Sequence, residues 1–103
     1  MRFLMKVRIP IDTGNERLKD PSFGEKMMGM LKDIKAEAAY FSTLDGQRGG
    51  YFIVNMNDAS QMAAMAEPFF LWLDADVEFE PVMLPDDLGK AGPDIGAAVK
   101  KWG

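Results

Sequence analysis

The stretch Ala38-Ala39-Tyr40-Phe41-Ser42-Thr43-Leu44-Asp45-Gly46-Gln47-Arg48-Gly49-Gly50-Tyr51-Phe52-Ile53-Val54-Asn55-Met56-Asn57 decides the fold. Its two ends, Ala38 to Leu44 and Tyr51 to Asn57, carry the aromatic and β-branched residues that suit strands. In the second, Phe52, Val54 and Met56 face one way while Tyr51, Ile53 and Asn55 face the other, because side chains alternate along a strand. Between them, Asp45 to Gly50 is turn chemistry. The whole reads as an antiparallel hairpin.

Towards the N-terminus, Arg2 to Ile9 alternates strictly, with Phe3, Met5, Val7 and Ile9 on one face and Arg2, Leu4, Lys6 and Arg8 on the other. That is a strand. Pro10 closes it, and a polar loop is expected through Thr13-Gly14-Asn15 to Lys19-Asp20-Pro21. Ser22 then serves as an N-cap with Glu25 completing a capping box. Phe23, Met27, Met30, Leu31 and Ile34 fall at helical spacing, which predicts a helix from about Phe23 to Lys35. Beyond the hairpin, Asp58 caps a second helix, with Gln61 completing its box and Met62, Met65, Ala66 and Phe69 as the apolar stripe. Pro68 predicts a kink or restart before that helix ends near Leu73. Asp76 to Met83 is the last strand, and Pro81 marks it as an edge.

The order β-α-β-β-α-β, with right-handed crossovers, predicts a ferredoxin-like α+β fold. Its four-stranded antiparallel sheet has the spatial order 4-1-3-2, with both helices on one face. Residues 1–84 form this domain and residues 85–103 a tail. In the tail, Pro93 opens a short helix with Ile95, Ala98, Val99 and Trp102 on one face.

The chain has 103 residues, a net charge of −4, no cysteine and no histidine. Disulfides, ordinary zinc sites, thiolate nucleophiles, His-ligated haem and Ser-His-Asp catalysis are thereby excluded. No cofactor is expected. An acidic balance argues against sequence-independent nucleic-acid binding, which needs clustered cations against phosphates. No apolar run reaches membrane-span length, and charges interrupt the first residues where a secretory signal would be apolar. A cytoplasmic location is the expectation.

Two helices can cover only one side of the sheet. The apolar set Phe3, Met5, Val7, Phe52, Val54, Met56, Val77 and Phe79 is the natural helix-facing side. The other side mixes Leu4, Tyr40, Leu44, Tyr51 and Ile53 with Lys6, Arg8, Asn55, Glu78 and Glu80. Such a face is too apolar for water alone and too polar for a sealed core unless its charges pair. Packing against the same face of a second copy resolves both problems, so a homodimer is expected.

The segments Asp45-Gly46, Gly49-Gly50-Tyr51-Phe52-Ile53-Val54, Asp58-Ala59-Ser60 and Ala75-Asp76-Val77-Glu78-Phe79-Glu80-Pro81-Val82, in this order and spacing, resemble YCII-related and DGPF-type proteins. These belong to the dimeric α+β barrel superfamily. The likeness runs through Met83, and the tail is similar to that of a small bacterial subgroup with no assigned activity. The resemblance implies a face-to-face dimer whose two sheets form a barrel. The superfamily also holds cofactor-free monooxygenases, lactone isomerases, dehalogenase-like enzymes and haem proteins. YCII-type proteins are thought to use a His-Asp pair, which this histidine-free chain cannot supply.

Asp74, Asp76, Glu78 and Glu80 recur at every second residue, and Arg2, Lys6 and Arg8 share the matching face of the neighbouring first strand. They predict a ladder of cross-strand ion pairs. The competing reading makes Glu78 or Glu80 a catalytic base, with Lys6 or Arg8 holding an anion and Tyr40, Tyr51 and Asn55 bonding a ligand. Met27, Met28, Met30, Met62 and Met65 fit core filling or an adaptable apolar pocket. Arg48 is expected to be a solvated turn tip. The reading that follows is a homodimeric binding or accessory protein for a small, largely apolar molecule. A cofactor-independent monooxygenase or isomerase and a purely structural association module are the alternatives.

Overall fold

Asp45 and Gly46, at φ 51° and 81°, reverse the chain with two residues. Positive φ at both central positions is the tight hairpin turn whose twist matches the flanking strands, and Asp-Gly is among its preferred sequences. Because two residues suffice, the strand beyond the turn starts at once. The computed structural model describes residues 1–103. In chain order it contains β1 (Arg2–Arg8), α1 (Ile11–Leu18), α2 (Phe23–Asp33), β2 (Ala38–Leu44), β3 (Gln47–Asn55), α3 (Gln61–Leu73), β4 (Asp76–Pro81), α4 (Pro85–Lys90) and α5 (Gly92–Trp102). β3 therefore includes Gln47 to Gly50, which the glycine content had suggested were turn.

The sheet is antiparallel throughout, in the order β2-β3-β1-β4, which is 4-1-3-2 read from the opposite edge. Strand β1 lies at the centre. Leu4 sits between Ile53 and Glu80, Lys6 between Tyr51 and Glu78, and Arg8 between Gly49 and Asp76. Met5, Val7, Phe52 and Val54 point to the opposite face, where they join Met27, Leu31, Ile34, Met65, Phe69 and Leu73 in one buried cluster. The helices thus cover one side of the sheet. No polar side chain is buried in the core.

Helix α1 replaces the expected loop. Thr13, Gly14 and Asn15 are poor helix formers, so the cause lies in tertiary contacts. Thr13 Oγ1 donates to Asp74 Oδ2 at 2.7 Å, and Arg17 Nε donates to the Trp72 carbonyl at 2.6 Å. Trp72 lies in the last turn of α3, whose carbonyls lack helical partners, so Arg17 caps that end. Asp74 itself is the left-handed residue that ends α3, at φ 51°, and stands outside the strand in which an acidic row had placed it.

Other local signals resolve differently from the expectation. Ser22 makes no helix cap; its hydroxyl and amide both donate to Asp20 Oδ1. Gln61 Oε1 accepts from the Asp58 amide at 3.2 Å, as the capping box required, while Asp58 Oδ1 accepts from the Ser60 amide instead of a helical one. α3 continues through Pro68. The carbonyl that Pro68 cannot satisfy belongs to exposed Ala64, where water can reach it. β4 is an edge strand, as Pro81 indicated.

The tail forms two helices rather than one, with proline near the start of each. Neither has a buried residue or joins the core cluster. The radius of gyration is 17.3 Å and the extents are 58 × 27 × 20 Å. A compact chain of this length would have a radius of gyration near 13 Å, roughly. The terminal helices form an arm, with Leu88, Ile95, Val99 and Trp102 exposed.

Candidate functional site

Two of the molecule's concavities lie on opposite faces of the sheet. On the helix-free face, a polar cleft of about 220 Å3 is lined by Lys6, Arg8, Thr43, Leu44, Asp45, Tyr51, Asp76 and Glu78. Lys6, Arg8, Tyr51 and Glu78 are thus brought together, with Tyr40 beside Tyr51 in the register. Asn55 is not among them: its amide donates to Glu37 Oε1, and Glu37 Oε2 accepts from Arg2 Nε at 3.0 Å.

Every cation of the cleft has its anion. Lys6 Nζ lies 2.7 Å from Glu80 and 3.9 Å from Glu78. Arg8 pairs with Asp76 at 2.8 Å and with Asp45 across the hairpin turn. The hydrogen bond to Glu80 is the main cause that raises the Lys6 ammonium above its usual value, with the charge of Glu80 next. Arg8 is raised chiefly by its hydrogen bond to Asp76. Glu78 and Glu80 are exposed, 65% and 51% by side chain. The arrangement is a register-fixing ladder of exposed ion pairs, and no cation there is free to take a ligand anion.

The second concavity is apolar. About 430 Å3 of space lies between α1, the first turns of α2 and the β2–β3 hairpin. Val7, Ile9, Phe52 and Phe69 form its inner wall, and Phe23, Met27 and Phe41 enclose it. Three large apolar residues at its rim, Leu18, Met28 and Phe41, are 56%, 64% and 61% exposed. The space exists for local reasons. Gly50 offers only backbone where its neighbours on that face carry large side chains, and a Cβ there would crowd the Phe52 ring at 2.8 Å. On α2, Gly24 borders the pocket with nothing within 4 Å of where its Cβ would stand.

Arg48 is solvent-exposed, as expected, but it lies in β3 just past the turn and borders this pocket. Strand alternation carried back from Tyr51 puts it on the helix side with Gly50, Phe52 and Val54. A Cβ on Gly14 of α1 would come within 2.9 Å of Arg48 Nη1, so the guanidinium lies against α1 where a glycine leaves room. The alternation was readable in the sequence, but the surrounding glycines masked it. Met27 and Met28 were visible as pocket candidates, whereas α1 as a wall had no sequence signal.

The fold defines a class: an α+β protein with helices on one face of an open four-stranded antiparallel sheet. No protein-family model matches the chain, and no curated protein matches it in a sequence search. No helix is long and apolar enough to cross a membrane.

Proposed function

We propose that this protein is a homodimer of ferredoxin-like subunits, related to the dimeric α+β barrel proteins, that binds a small, largely apolar molecule between α1, α2 and the β2–β3 hairpin. The apolar pocket carries this reading. Its volume of about 430 Å3 falls in the range of small-molecule sites, roughly 300–1,000 Å3. Its rim exposes Leu18, Met28 and Phe41, an apolar cluster that water covers at a cost. Met27 and Met28 supply unbranched, adaptable walls. The carboxylates considered for catalysis are exposed and engaged in the ion-pair ladder, which favours a binder over an enzyme.

Titration of octanol into protein with methyl-labelled methionines tests the reading. The Met27 and Met28 methyl signals should move while that of Met83, away from the pocket, stays. Gly24→Leu should fill the space and abolish the shifts. The same variant should be more stable by up to about 1 kcal/mol, because it replaces a helix glycine with a good helix former. Shifts no larger at Met27 and Met28 than at Met83, or shifts unchanged by Gly24→Leu, would exclude the pocket as a binding site.

A further inference from the structure

We propose that the pocket is built for a carboxylic acid, whose apolar body enters the cavity and whose carboxylate is held by Arg48. The proposal rests on the pocket reading above and adds the chemistry of the ligand.

The chain has four arginines: Arg2, Arg8, Arg17 and Arg48. Three are engaged within the chain: Arg2 with Glu37, Arg8 with Asp76 and Asp45, and Arg17 with the Trp72 carbonyl. Arg48 makes no ion pair and no side-chain hydrogen bond. The one arginine left without a partner is also the one at the apolar pocket.

Its position is held by backbone on two sides. The Arg48 carbonyl accepts from the Ile9 amide at 2.9 Å, which fixes the strand at that point. Gly14 leaves the space in which the guanidinium rests, although a glycine inside a helix lowers its stability. A planar guanidinium offers paired donors that match the two oxygens of a carboxylate. Ser42 pairs with Gly49 across the ladder, so its hydroxyl points to the opposite face and reaches the pocket only through backbone. A single positive charge suits a monoanion; a phosphate dianion would leave a charge unmatched. The rings of Phe23, Phe41, Phe52 and Phe69 and the flexible thioethers of Met27 and Met28 suit a compact alkyl or aryl body.

Calorimetric titration of the full chain at neutral pH, with octanoate against octanamide and 3-phenylpropionate against its amide, tests the proposal. In each matched pair the acid should bind roughly tenfold more tightly or better, as a charge-assisted hydrogen-bonded pair provides. The stronger pair will distinguish an alkyl from an aryl body. Arg48→Gln should reduce the acid to the affinity of its amide. Gly14→Ala, which pushes the guanidinium aside, should weaken the acid and spare the amide. Equal binding of acid and amide by the unaltered protein, or an acid preference that survives Arg48→Gln, overturns the carboxylate assignment and leaves the pocket standing. Binding of neither compound removes both.

Discussion

At the residue scale, Glu37 shows how the uncovered side of the sheet is fastened. It stands just before β2, after Lys35 has turned the chain at φ 53°. Its carboxylate accepts from Arg2 and from Asn55, and its amide donates to the Ile53 carbonyl at 2.8 Å. The bond from Arg2, then that from Asn55, holds the Glu37 carboxyl below its ordinary value of 4.5. Asp20 and Asp58 are lowered too, chiefly by the amides of Ser22 and Ser60. A lowered carboxyl contributes stability that is fully present above its unfolded value and is lost as the pH falls through the folded one. Glu37→Gln should therefore flatten the decline in stability below about pH 4.5, as read from denaturant midpoints on either side of that pH. The same slope in both proteins would deny Glu37 this role. Neither Glu37 nor Arg48 was legible in advance. Glu37 meets Arg2 across 35 positions of sequence, and Arg48 sits among glycines that read as turn.

At the scale of elements, the strands were legible and α1 was not. Strict alternation in β1 and in β3 from Tyr51 onward fixes their faces with no help from distant residues, and the order follows from the connectivity with right-handed crossovers. α1 depends on its neighbours. Trp72 is the meeting point: Phe23 stacks on it at 5.7 Å between centroids, and Arg17 and Lys26 lie over the ring at 5.3 and 5.2 Å. An element that begins with poor helix formers and is held by two side-chain hydrogen bonds, from Thr13 and Arg17, should open early. Arg17→Ala should speed amide exchange through Ile11–Leu18 while the sheet amides keep their protection, at a global cost of roughly 1 kcal/mol. Uniform loss of protection across the chain would show instead that α1 unfolds only with the whole domain. The tail helix α4 escaped notice because Pro85–Lys90 is barely longer than a turn; Leu84 and Asp87 cap its start, with the Leu84 amide donating to Asp87 Oδ2 at 2.9 Å.

At the scale of the molecule, one feature of the sheet favours self-association. Its uncovered face carries half-buried Leu4, Tyr51 and Ile53 beside Lys6 and Arg8, both already paired with carboxylates. The two carboxylates by which the acids outnumber these cations lie towards the edge strand β4 and the hairpin turn. The apolar part of the face can therefore be dried against its twin without stranding a cation. Sedimentation equilibrium should give twice the chain mass of 11.5 kDa. Ile53→Arg, which puts an unmatched cation at the centre of that face, should return the single-chain mass with secondary structure intact. A single-chain mass for the unaltered protein at all accessible concentrations would refute the dimer. The hydrophobic pattern that made this face recognisable could not place the arm, whose helices bury nothing on their own subunit. Gly49 and Gly50, finally, have a consequence for how closely the strands approach. Gly49 looks out beside Arg8 on the ladder face, and Gly50 looks in on the apolar pocket. On the ladder side the Leu44 side chain lies over that peptide, and a Cβ on Gly49 would collide with the Val7 carbonyl oxygen. A methyl group there would force β3 and β1 apart at the very point where the pocket wall begins.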